Sequence, residues 1–121
     1  MGKVVSNDVL DAALNEIATA TEMYLCTSEP ANRAAADTAS VIPAHTLTGG
    51  DFTNADGDTS GRKVTIAAQN SLTADASGTV THVAICDAST LLYVTTCTSQ
   101  AVTSGNTVNI GSWDVEIADP T

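Results

Sequence analysis

The chain has 121 residues, 14 acidic against 4 basic side chains, a formal net charge of −10 and only 3% aromatic residues. One domain is the default at this length, because a core of this size buries roughly two-thirds of the unfolded surface. The charge opposes a polyanion, since nucleic-acid binding draws most of its affinity from Lys and Arg displacing counterions from phosphates, so no nucleic-acid partner is expected.

Ser6-Asn7-Asp8 offers a capping side chain and then an acidic residue for the positive end of a helix. Val9, Leu10, Ala13, Leu14, Ile17 and Ala18 follow at spacings of three and four, with Asn7, Asp11, Asn15 and Glu16 opposite, which predicts a helix over 7–20, the only one expected. Alternation of Met23 and Leu25 against Tyr24 and Cys26 predicts a strand that ends in a turn at Ser28-Glu29-Pro30. The Ala-rich stretch Ala31–Ser40 is ambiguous. Asp37, Thr38 and Ser40 dilute its helical propensity and Pro43 blocks continuation, so it reads as an extended, exposed arm that needs a neighbour to hold it.

Beyond Pro43 short strand signals alternate with turns. They fall at His45–Leu47, Asp51–Thr53, Arg62–Ala68, a weaker element around Leu72, Thr79–Cys86, Leu91–Cys97, Thr107–Ile110 and Trp113–Ala118. Thr79–Cys86 and Leu91–Cys97 have no fully polar face and read as central strands covered on both sides. In the last segment Trp113, Val115 and Ile117 share one face against Asp114 and Glu116, the pattern of a strand with one buried side. The fold class expected is mainly β: an antiparallel β-sandwich or barrel-like domain with one N-terminal α-helix. Its parts are an N-terminal arm over 1–5, the helix over 7–20, a first strand and turn over 21–30, the extended arm over 31–43 and a β-rich body over 44–121.

No apolar run approaches the roughly 20 residues that cross a bilayer, and no signal-peptide pattern is present, so a soluble cytosolic product without a membrane partner is expected. The apolar fraction of 43% is weighted to Ala and Val, which makes a thin core. Cys26, Cys86 and Cys97 form an odd set without a CxxC pair, and free, half-buried thiols are the plain reading.

Three groups merit weighing as sites. Asp51, Asn54, Asp56 and Asp58 around Gly57 concentrate the oxygen ligands that calcium takes, but the helix–loop–helix spacing fails: Thr59 follows Asp58 where glycine belongs, and Thr65 holds the last place. An ordinary hairpin loop is the main reading, a calcium-dependent binding module the alternative, and no cofactor is expected. His45, His82 and the cysteines lack zinc spacing, and Cys86 with His45 or Cys97 with His82 would need a proximity that no local motif supports. No phosphate loop, nucleophile elbow or paired-carboxylate motif occurs, so no catalytic residue is assigned. Arg62-Lys63 is the only basic doublet; it either pairs with the nearby acidic loop or contacts a partner.

The segments Gly61-Arg-Lys-Val-Thr-Ile-Ala-Ala68, Gly78-Thr-Val-Thr-His-Val-Ala-Ile-Cys-Asp87, Leu91-Leu-Tyr-Val94, Ala101-Val-Thr-Ser-Gly-Asn-Thr-Val108 and Trp113-Asp-Val-Glu-Ile117 follow one another in an order that resembles small tailed-bacteriophage virion proteins. The resemblance covers the C-terminal half well and the N-terminal helix loosely. Cys86, Cys97 and Gly111-Ser112 depart from it. It implies a non-enzymatic, β-rich virion component: a capsid decoration (cement) protein on the outer capsid surface, made in the host cytoplasm, with a tail- or fibre-associated protein as the alternative. The implied partner is the major capsid protein, with a homo-oligomer or neighbouring copies alongside. Contacts are expected from Lys3, Val4 and Val5, from Arg33 within the Ala31–Ser40 arm, and from Arg62 and Lys63, which would set register.

Overall fold

The computed structural model describes residues 3–120. Its first element, α1 (Asn7–Ile17), starts where Ser6 Oγ accepts from the Val9 amide at 3.3 Å. The helix ends three residues earlier than expected. Leu10 and Leu14 face inward, whereas Val9 and Ala13, assigned to the same stripe by period, are exposed. The apolar stripe is therefore wider than the surface that covers it.

Strand β1 (Glu22–Cys26) is buried on both faces. It lies between β2 (His45–Thr46) and β6 (Gly78–Cys86) in a four-stranded antiparallel sheet of order β2-β1-β6-β7, where β7 is Leu91–Val102. A second sheet has the order β3-β4-β9, from Phe52–Asp56, Arg62–Ile66 and Trp113–Ile117, and β5 (Gln69–Thr73) pairs with β8 (Thr107–Ile110) as a two-stranded ribbon. A short 3-10 turn, Gly49–Asp51, leads into β3.

The sheets face one another across a single apolar layer. Met23, Leu25, Val83 and Ile85 of the first sheet share a core with Val64, Ile66 and Val115 of the second and with Leu14 of α1. The fold is thus mainly β and sandwich-like with an N-terminal helix, as its patterning implies. β6 is the central strand expected, with Val83, Ala84, Ile85 and Cys86 all buried. β7 is not: it is an edge strand, half-buried to exposed along most of its length. A register shift between Val80 and His82 also changes the phase of alternation in β6, so Val80 and Val83, three residues apart, enter the same core.

The segment expected as an extended arm is instead a helix, α2 (Arg33–Ala39). Asn32 caps it, its side-chain oxygen accepting from the Ala35 amide at 2.8 Å, and small side chains let it lie close on the outer face of the first sheet. There Ala36, fully buried, packs with Tyr24, Cys26, Ala84 and Cys86. No outside neighbour is needed to hold it. Ser40 then bridges to Cys26, and Val41 donates to Leu25 O at 2.9 Å, fastening the following chain to β1. Among the described residues no helix is long and apolar enough to cross a membrane.

Candidate functional site

Of the acidic group in the sequence, Asp56 and Asp58 lie at the turn of the β3–β4 hairpin, Asn54 lies within β3, which runs on to Asp56, and Asp51 lies at the opposite end of that strand in the 3-10 turn. The oxygens of the group point to separate partners. The Asp51 carboxylate accepts from the Thr48 amide at 2.8 Å and from Gln69 Nε2 at 3.1 Å, and the amide bond foremost holds its carboxyl below the usual range. Asn54 donates to Asn15 at 2.9 Å, Asp56 accepts from Arg62 at 2.7 Å and Asp58 from Lys63 at 2.7 Å. The four groups are not gathered into one oxygen cluster, and among the described residues no three His, Cys, Asp or Glu side chains converge as a metal site.

The basic side chains are bound into the fold. Arg62 also pairs with Asp11 at 2.8 Å and so joins α1 to the hairpin, while Lys63 reaches Asp114 on β9 at 3.4 Å. Arg33 grips both oxygens of Glu22 at 3.0 Å or less and donates to Asp87 O at 3.1 Å, which clamps α2 onto β1. The loop-pairing reading of Arg62-Lys63 describes these contacts. Asp11 and Asp114, far away in sequence, are the partners that reading lacked. Lys3 and Val4 are exposed and Val5 is half-buried, while residues 1 and 2 of the expected contact arm lie outside the described residues.

Among the described residues neither histidine hydrogen-bonds a thiol, although His82 stands opposite Cys26 in the β1–β6 register. Gln69, a buried polar residue, donates through Nε2 to Ala67 O and Asp51, so its Oε1 faces His45 Nε2 at 2.8 Å and the imidazole donates. His82 Nδ1 lies 2.8 Å from Thr81 Oγ1. Burial pushes the Cys26 and Cys86 thiols up to about 11 and raises Cys97 as well, the opposite of activation as nucleophiles.

One feature had no sequence signal. Between the outer part of β7 and the β8–β9 connection lies a cavity of about 390 Å³, walled by Val80, Val83, Cys97, Val108 and Trp113 among others, and a second of the same size continues along β7 towards Thr103. Trp113 stacks on Tyr93 with centroids 5.9 Å apart, and its Nε1–H is buried without an acceptor. Only the edge position of β7, which depends on tertiary pairing, could have revealed the gap.

Comparison of the chain with protein-family models, with curated proteins and with solved structures found no match.

Proposed function

We propose that the chain is a non-enzymatic structural component of a tailed-phage virion, a decoration protein that binds the major capsid protein on the outer face of the shell. The observation that carries this reading is the ordered set of motifs in the C-terminal half. Its members lie on β4, on β6, at the start of β7, across the β7–β8 turn and on β9, so the resemblance spans strands of all three sheets rather than one local turn.

Two physical features support it. Arg33, Arg62 and Lys63 are engaged with carboxylates of the same chain, so the acidic exterior suits a basic or neutral shell surface and keeps particles dispersed. A thin core is tolerable where binding to a shell adds stability by mass action.

Co-sedimentation of the purified chain with expanded, undecorated capsids tests the reading, with tail tubes and baseplates run in parallel. Saturable binding to capsids is expected. Binding to tails alone would move the protein to the tail- or fibre-associated alternative, and binding to neither would overturn the virion assignment.

A further inference from the structure

Three sheets end on one groove. β7 is the last strand of the four-stranded sheet, β9 of the three-stranded sheet and β8 of the ribbon. These strands supply most of the walls of the two adjoining cavities, which share Gln100, Val108 and Asn109 and so form one elongated slot. Along β7 it runs from Thr95 to Val102, about 24 Å at the ~3.4 Å rise of a strand. Among the described residues no strand lies beside the outer edge of β7. A row of backbone N–H and C=O groups of this kind is complemented by another extended chain, and β7 carries none of the Lys or Pro residues that commonly guard an edge.

We propose that the slot receives the N-terminal segment of a second copy of this chain, Lys3 to Val5, as an added strand. In the single chain this segment has no secondary structure, is not among the described residues that wall the slot, and leaves Val4 91% exposed, the most exposed of the large apolar side chains among the described residues. Val4 and Val5 are β-branched, the type that fits a pleated, half-buried surface, and the apolar side chains of Val80, Val83, Val108 and Trp113 give such a residue a place to bury.

Charge selects the same segment. It has no carboxylate before Asp8, so it meets less repulsion from a chain of net charge −10 than a carboxylate-bearing segment would; Asp114, the one carboxylate among the described lining residues, is already engaged by Lys63 and Thr65. Arm and slot are different surfaces, so the contact is head-to-tail and generates a ring or an open row of copies. This goes beyond capsid binding, because it concerns how copies touch one another.

The test places Val4→Cys against native Cys97, which lines the slot, and treats the folded protein with a short bis-maleimide; Cys26 and Cys86 are buried. The expected result is a covalent dimer on a denaturing gel that is lost in the Val4→Cys, Cys97→Ser double variant. Sedimentation of the unmodified chain should show an assembly larger than the monomer that shifts to monomer on deletion of residues 1–5. A link within one chain, a dimer that persists without Cys97, no link at all, or an assembly indifferent to the deletion would each overturn the proposal. Both measurements are made without capsids, so their failure leaves the co-sedimentation assay to judge the proposed function on its own.

Discussion

Leu14→Ala and Val9→Ala test how α1 is held, because period alone puts both residues on one apolar face while the fold buries only one of them. Leu14 is 0% exposed in the main core and Val9 is 59% exposed. Removing three buried carbons from Leu14 forfeits about 2.4 kcal/mol at ~0.8 kcal/mol per carbon, and the cavity left behind carries the loss to about 3–5 kcal/mol. Removing two mostly wet carbons from Val9 forfeits at most about 0.7 kcal/mol, which the better helix propensity of Ala, worth up to ~0.7 kcal/mol, offsets. Urea unfolding followed by far-UV circular dichroism should therefore give a large drop in midpoint for Leu14→Ala and almost none for Val9→Ala, with unchanged slope. Equal losses would refute the placement of α1, as would a Leu14→Ala cost below about 1 kcal/mol, well under the range for buried leucines.

Gly61 and Gly105 both adopt positive φ, at 70° and 92°, but a Cβ on Gly61 would run into the Ile117 carbonyl while one on Gly105 meets open space. Gly105→Ala should cost only the left-handed penalty of about 1–2 kcal/mol, and Gly61→Ala clearly more, read as the difference in Tm. The Glu22 carboxyl is held below its ordinary 4.5, by the Arg33 guanidinium first and the Tyr24 hydroxyl next. A depressed folded pKa contributes stability above the unfolded value that is lost as pH falls through the folded one, so Tm should decline below about pH 4.5. Glu22→Gln should make that decline shallower without abolishing it, since Asp51, Asp87 and Asp114 are depressed too, and an unaltered acid slope would contradict the clamp on α2. Native-state thiol labelling followed by peptide mass mapping should modify Cys97 well before Cys26 and Cys86, the two buried thiols.

Much of the β body was legible because a half-buried strand writes its period of two into the chain. Trp113, Val115 and Ile117 are turned inward against exposed Asp114 and Glu116, as their alternation implies. What escaped depends on surfaces distant in sequence. α2 has no large apolar side chain to mark a face; its anchors are the Ala36 seat under β1 and β6 and the Arg33–Glu22 clamp across eleven residues. The local signal that could have found it is Asn32 capping an Ala-rich run. The Leu91–Cys97 segment reads as central because threonine carries both a methyl and a hydroxyl, so Thr95 and Thr96 read alike in a covered strand and at an edge. In the acidic loop the local pairing is readable, since Asp56 and Asp58 face Arg62 and Lys63, cations of the same hairpin, whereas the second partners of those cations, Asp11 and Asp114, lie about fifty residues away and leave no local sign.

The net charge bears differently on the two proposed contacts, and salt separates them. Three of the four cations are turned onto five carboxylates of the same chain, so what an approaching body meets is predominantly negative. Attraction of that exterior to a basic shell surface is long-range and weakens as the Debye length shrinks from ~10 Å at 0.1 M salt to ~3 Å at 1 M. Association of two copies works against repulsion between chains of −10 each, and its proposed driving contacts are backbone pairing and burial of Val4, so added salt should strengthen it. Capsid co-sedimentation and self-association, each followed across a salt series, should therefore move in opposite directions. Weakening of both together would mean that ion pairs, rather than an added strand, hold the copies to one another.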